Sequence, residues 1–321
     1  MKKFPPDGDL IANRTKARVT VLIALWNGGA FLTAQLESLA AQTREVDLIV
    51  ASDDGSQDNT TEIFAGFTER LTKGQTRLIS GPATGGTTNF LHLLAQVGPE
   101  TDLAALCDQD DVWLPDKLAR AAAALAPFAD QPALYGARTW EVDAALGHPR
   151  LSRNVPVPLN FAHALAQNFA GGNTMVLNRA AIDLVQRCLP GMPEPSVHDW
   201  WLYQLIAGSG GTVIFDVEPV LLYRQHDGNQ IGAAGGAHAK WTRFVAMLGG
   251  TYARWNQQNI AALSHCRAEL TTKAAAILDD FAAHRQGTLV QRIAMIRRTG
   301  LHRKGAVDHA GLWLAAIVGR L

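Results

Sequence analysis

Cysteine is scarce in this 321-residue chain. Its thiols, Cys107, Cys188 and Cys266, are odd in number and far apart. They form neither a disulfide framework nor a metal-ligand spacing, which points to a reducing, cytoplasmic setting. Excess charge of either sign is also missing, since Lys and Arg total 29 and Asp and Glu total 29. A neutral chain does not hold nucleic acid through bulk charge, so no nucleic-acid partner is expected. No apolar run reaches the roughly 18 residues of a membrane span. The stretch AGLWLAAIVG (310–319) is long enough to lie on a membrane or pack in a core, and too short to cross a bilayer alone. Where a secretory signal would turn apolar after Lys2 and Lys3, Pro5, Pro6, Asp7 and Asp9 follow instead. P-loop, GxGxxG, GxSxG and HExxH patterns are all lacking.

What is present suits a sizeable core: 47% hydrophobic and 18% charged residues exclude disorder. VTVLIAL (19–25) and VDLIVAS (46–52) are continuous apolar runs of strand length, as expected for strands buried on both faces. TRLIS (76–80) and DLAALCD (102–108) read as further strands. Helical spacing separates them: Leu32, Leu36 and Leu39, then 59–70, then 89–96. An alanine-rich helix follows Pro115. This alternation predicts an α/β fold with a mostly parallel central sheet flanked by helices. Further strands are expected at 133–143, leading to a hairpin, and at 173–179. A helix is expected at 198–207, with two strand segments in 211–226 around Pro219. Gly232–Gly236 reads as a flexible joint, and long helices follow from about 240 to 303. The expected organisation is a polar arm (1–17), an α/β domain (18–235) and a C-terminal helical extension (236–321).

Sheets of this kind bind ligands beyond the carboxyl ends of their strands. Three such ends are unusually polar: Asn27-Gly28-Gly29, Asp53-Asp54-Gly55-Ser56 and Asp108-Gln109-Asp110-Asp111. Carboxylates that close repel one another unless a cation or hydrogen-bond donors compensate. A hard divalent ion would do so, although Asp111 or Asp116 also suits a helix cap. Asp53 and Asp54 read equally as ligand acceptors or as a capped βα turn, with Asp58, Asn59 or Thr60 as caps. Asp199, in His198-Asp199-Trp200-Trp201, reads locally as an N-cap or as a general base in an aromatic setting. Arg224-Gln225-His226 ends an apolar segment, with Asn229 beyond it. Its Arg and His can address phosphate or, for His, a metal.

Taken together, these residues resemble family 2 glycosyltransferases of the GT-A fold, in particular the bacterial rhamnosyltransferase-like subset. The resemblance rests on VTVLIALWNGGAFLTAQLESLAAQT, VASDDGSQDNT, LCDQDDVWLPDKL, GGNTMVLNR, HDWWLYQLIAGSGG and LLYRQHDGNQIG. It implies a GT-A, Rossmann-like catalytic domain that binds a dTDP- or UDP-sugar with Mg²⁺ or Mn²⁺. Leu25, Asn27, Asp53, Asp54, Asp108, Gln109 and Arg224 would then bind the donor. Asp110 and His226 would hold the metal, and Asp199 would be the catalytic base. Gly172, Asn173, His198 and Trp200 would face the acceptor, a surface polysaccharide or lipid-linked glycan. His198 stands where the family usually has Glu.

The implied activity is inverting hexosyl transfer, with dTDP-rhamnose as the donor suggested by the subset. A UDP-hexose transferase with another acceptor and a non-catalytic nucleotide-sugar-binding subunit remain as alternatives. Residues 288–321 carry Arg292, Arg297, Arg298, Arg303, Lys304 and Arg320 against Asp308 alone. That segment suits either peripheral contact with the inner face of the membrane or packing on protein, including a second copy in a homo-oligomer.

Overall fold

A computed structural model describes residues 17–71, 73–155, 158–226 and 250–321. Nearly all of the expected arm, the Gly232–Gly236 joint, Asn229 and the start of the expected helical region at 240 lie outside these residues. Four parallel strands make the regular half of the sheet: β1 (Val19–Leu25), β2 (Leu48–Asp53), β3 (Gln75–Ser80) and β4 (Leu103–Asp108). Helices α1 (Leu32–Ala40), α2 (Thr60–Arg70) and α3 (Gly86–Ala95) connect them. The chain steps outward from β1 to β3 and returns to place β4 beside β1. The strand order therefore reverses between β1 and β4, the position where open α/β sheets leave a crevice for ligand.

Beyond β4 the sheet becomes mixed. The full order is β3-β2-β1-β4-β8-β6-β9-β5, with β7 (Arg150–Leu151) beside β6 (Ala133–Val142) as the expected hairpin. β8 (Val176–Asn178) is shorter than the strand expected at 173–179. Gly172–Thr174 forms a 3₁₀ turn instead, because the Asn173 side chain and carbonyl are drawn to partners across the site. β9 (Thr212–Arg224) is one strand rather than two segments. Pro219 has no N–H to give the ladder, and the register with β6 shifts there, from Ala137 opposite Asp216 to Arg138 opposite Pro219. The short β5 (Val112–Trp113) pairs antiparallel with β9 and brings the acidic turn after β4 against the end of β9.

Alternate β1 side chains serve two cores. Val21, Ile23 and Leu25 face α1, α2 and α4 (Lys117–Leu125), whereas Leu22 joins Phe90, Leu93 and Leu94 of α3. Each is fully buried or nearly so, a placement that stabilises by about 1.5–3 kcal/mol per Leu or Ile side chain. The second core also takes α5 (Phe161–Ala166), α6 (Arg179–Cys188) and α7 (His198–Gly208). It continues without a break into α8 (Thr251–His265), α9 (Thr272–His284), α10 (Leu289–Thr299) and α11 (Gly305–Ile317). Among the described residues, no helix is long and apolar enough to cross a membrane.

Candidate active site

The carboxyl ends of β1, β2 and β4 lie side by side, since Leu25 is opposite Asp53 and Ala24 is opposite both Ser52 and Asp108. Gln109 clips two of them together. Its Oε1 accepts from Trp26 N and its Nε2 donates to Trp26 O, both at 2.8 Å. A Cβ at Gly28 would lie 2.3 Å from Gln109 Oε1, so that close approach requires glycine. Leu25 is buried in the core. Asn27 takes a left-handed φ of 47° and accepts from Gln57 N through its side chain. Asp53 is held by the N–H and hydroxyl of Ser56. Both oxygens of Asp54 accept from the loop after β3, through the N–H groups of Ala83 and Gly85. Neither Asn59 nor Asp116 makes a side-chain cap bond, and Asp58 accepts from Thr60 N instead.

Asp108, Asp110 and Asp111 each present a carboxylate oxygen within 4.8 Å of the others. Without a cation this is unfavourable. Burial, then the charges of Asp110 and Asp199, push the Asp108 pKa up to about 7. Burial first, then Asp108 and Asp110, push Asp111 well above the usual carboxylate range. Asp111 is not a helix cap. It is fully buried, accepting from Asn173 Nδ2 at 2.6 Å and from Arg224 N at 3.2 Å. Asp110 Oδ2 lies 2.7 Å from His226 Nε2, and Arg224 Nε donates to the Asp110 carbonyl. Phe31 supports both basic groups, with Arg224 over its ring at 4.6 Å and the His226 ring at 4.8 Å. Crowded carboxylate oxygens beside an imidazole are a chemistry that fits a hard divalent cation. Asp108, Asp110 and His226 would hold it, because both oxygens of Asp111 already have protein partners.

Lys117 lies beneath this cluster, fully buried. It donates to the Asn173 carbonyl and sits 3.2 Å from the centre of the Trp113 ring. Burial lowers its pKa to about 7, against the pull of Cys107, Asp111 and Asp108. Asp199 stands in the first turn of α7, one residue inside the helix, while the cap position is Val197. Its half-buried carboxylate accepts from Gly172 N at 3.0 Å. Burial raises its pKa to about 6, and bonds from Trp200 N, Gly172 N and the Asn168 side chain oppose the rise. His198 stacks on Phe90 at 4.2 Å, with both ring nitrogens buried and unpartnered. Burial lowers its pKa to about 3, so it is neutral.

The fold thus gathers Asp108, Asp110, Arg224, His226, Asn173, Gly172, His198 and Asp199 around one end of the sheet. Trp200 is not among them. It is buried, donating to the Ala164 carbonyl and stacking on Tyr252. Sequence reasoning missed Lys117, Phe31, Phe90 and Asn168. It also missed Trp26, an aromatic 59% exposed at the end of β1. Trp26 was detectable as a large aromatic between the apolar run and Asn27, whereas the other four carry no local signal.

Residues 20–170 match the family model described as Glycosyl transferase family 2. This segment is a family 2 glycosyltransferase domain. The chain is 27% identical over 260 residues to the dTDP-rhamnosyl transferase RfbG of Shigella flexneri, covering 77% of this chain and 85% of that protein. Its fold is similar to the 1–349 fragment of S. aureus TarS solved with UDP-GlcNAc, with a TM-score of 0.54 at 18% identity. That match covers 93% of this chain and 79% of the fragment. The mannosyltransferase PcManGT of Pyrobaculum calidifontis, solved with GDP-Man and Mn²⁺, matches with a TM-score of 0.51 at 17% identity, covering 95% and 87% of the two chains. These likenesses establish the family 2 domain's GT-A architecture.

Proposed function

We propose that this family 2 glycosyltransferase is an inverting, metal-dependent enzyme. It moves a sugar, with dTDP-rhamnose the favoured donor, to a hydroxyl of a surface polysaccharide or lipid-linked glycan on the cytoplasmic side of the membrane. One observation carries the reading: the turn at Gly172–Asn173 ties the acidic turn after β4 to Asp199 of α7, with Gly172 N donating to Asp199 and Asn173 Nδ2 to Asp111. The similarity to a dTDP-rhamnosyl transferase supports the donor, and buried, unlinked cysteines suit a reducing compartment.

In this reading Asp108, Asp110 and His226 hold Mg²⁺ or Mn²⁺, which would neutralise the charge of the leaving diphosphate. Asp53, Asn27 and Trp26 border the nucleoside, and Gln109 keeps the ends of β1 and β4 in register. The acceptor hydroxyl is a poor nucleophile near neutral pH. Asp199 takes its proton as the hydroxyl oxygen bonds to C1 and the bond from C1 to the diphosphate breaks. A single displacement inverts the anomeric centre. A pKa of about 6 leaves Asp199 ionised at neutral pH yet basic enough to act. Asn168 and Gly172 N–H aim the carboxylate, and neutral His198 walls it.

The test is to incubate the purified chain with dTDP-rhamnose or UDP-hexoses, a divalent cation and a glycan extract, following nucleoside diphosphate release. Release with dTDP-rhamnose supports the reading, and release with a UDP-sugar alone reassigns the donor. Binding without any turnover would mark a non-catalytic subunit.

A further inference from the structure

Basic C-terminal residues that the site does not use lie beside a patch of apolar surface. On α11 and its C-terminal cap, Val307, Gly311, Leu314 and Val318 fall on one stripe at roughly 100° per residue, with Ala310 and Ile317 along its side. Val307 is 82% exposed, Ile317 54% and Val318 42%. The charged residue on this helix, Asp308, points elsewhere and pairs with Arg153. Helix α10 runs beside it. Its exposed face carries Val290, 76% exposed, with Ile293, Ala294 and Arg297 at helical spacing. Arg292 joins the two helices by donating to the carbonyls of Ala316 and Ile317, which sets the start of α10 against the end of α11.

Positive charge borders the patch. Arg297 and Arg320 are exposed and make no ion pair among the described residues. We propose that the outer faces of α10 and α11 form a docking surface for an anionic lipid bilayer, with the apolar stripe entering the interface and Arg297 and Arg320 among the headgroups. A helix of 13 residues spans only about 20 Å, so it lies in the interface rather than crossing it. A second copy is the less favourable occupant. A two-fold contact through this face would set each protomer's arginines toward their own counterparts. The inference does not depend on the chemistry assigned to the acid cluster.

The test is flotation of the purified full chain with vesicles of phosphatidylcholine alone or of phosphatidylcholine with phosphatidylglycerol. The chain is expected to float with the anionic vesicles only and to dissociate as salt is raised. Each basic residue near such a surface contributes about fivefold in partitioning. The pair Arg297→Gln and Arg320→Gln should therefore weaken binding about 25-fold. Val307→Asp with Ile317→Asp should abolish it while leaving the melting temperature and nucleotide-sugar turnover unchanged. Four results would overturn the proposal: no flotation at low salt, equal flotation with neutral vesicles, variants that float like the parent chain, or a dimer of the parent chain that Val307→Asp converts to monomer.

Discussion

Replacing Asp199 with Asn isolates the proton-transfer step. The amide oxygen can still accept from Gly172 N–H, now 3.0 Å from the carboxylate, so the start of α7 keeps its anchor. The side chain can no longer take a proton. General-base assistance contributes about 10²–10⁴-fold, so kcat should fall by that factor, equivalent to about 3–5 kcal/mol in the barrier. Donor affinity should hold or improve, because losing this charge relieves Asp108. The pH dependence has a fixed sign. Burial has raised the Asp199 pKa to about 6, and the base must be ionised. Turnover of the parent enzyme should therefore fall about tenfold per pH unit below that value and level off above it. Saturating divalent cation keeps Asp108 ionised and out of the profile. The residual activity of the variant should lack this acid limb. The assay is initial-rate nucleoside diphosphate release across pH about 5–8, with calorimetric titration of the donor. A variant within a few-fold of the parent, or a parent profile without the acid limb, would refute the base assignment.

Other sites give sharper structural readouts. Gly172→Ala would set a Cβ 2.6 Å from His198 Nε2 and 3.3 Å from Asp199 Cβ, with Phe90 stacked on the His198 ring. It should lower kcat about 100-fold by displacing the base, and unchanged kinetics would contradict that close approach. Lys117→Met leaves the buried Asn173 carbonyl without its donor and should cost about 1–3 kcal/mol in urea unfolding. An unchanged midpoint would show that Lys117 is dispensable beneath the acid cluster. Arg303 lies over Tyr252 and donates to the Ala166 carbonyl, as Tyr252 does, two residues before Asn168. Arg303→Ala should loosen this loop and lower kcat about tenfold with donor KM unchanged. A change in KM alone would place its effect in the donor pocket.

The parallel half of the sheet was legible because strands buried on both faces leave continuous apolar runs, and VTVLIAL and LAALC do. Their polar ends marked the site for the same reason: Asn27, Asp53 and Asp108 interrupt runs that packing would otherwise continue. The second half was harder to read because its determinants are distant in sequence. Asp111 reads locally as a cap, yet Asn173, 62 residues away, and Arg224, 113 residues away, satisfy it. Lys117 looks like an exposed helix residue until Trp113 and the turn at Gly172–Thr174 close over it. Pro219 was expected to divide a strand. The long pairing of β6 with β9 absorbs it as a register shift.

The central claim is that the aspartates after β4 hold a cation that in turn holds the donor. Calorimetric titration of dTDP-rhamnose into the chain, with Mg²⁺ or Mn²⁺ and again with chelator, tests it most directly. Saturable binding that needs the cation, and that Asp110→Ala weakens by about tenfold or more, is the expected result. Equal donor affinity with and without cation, unaffected by Asp110→Ala, would contradict it.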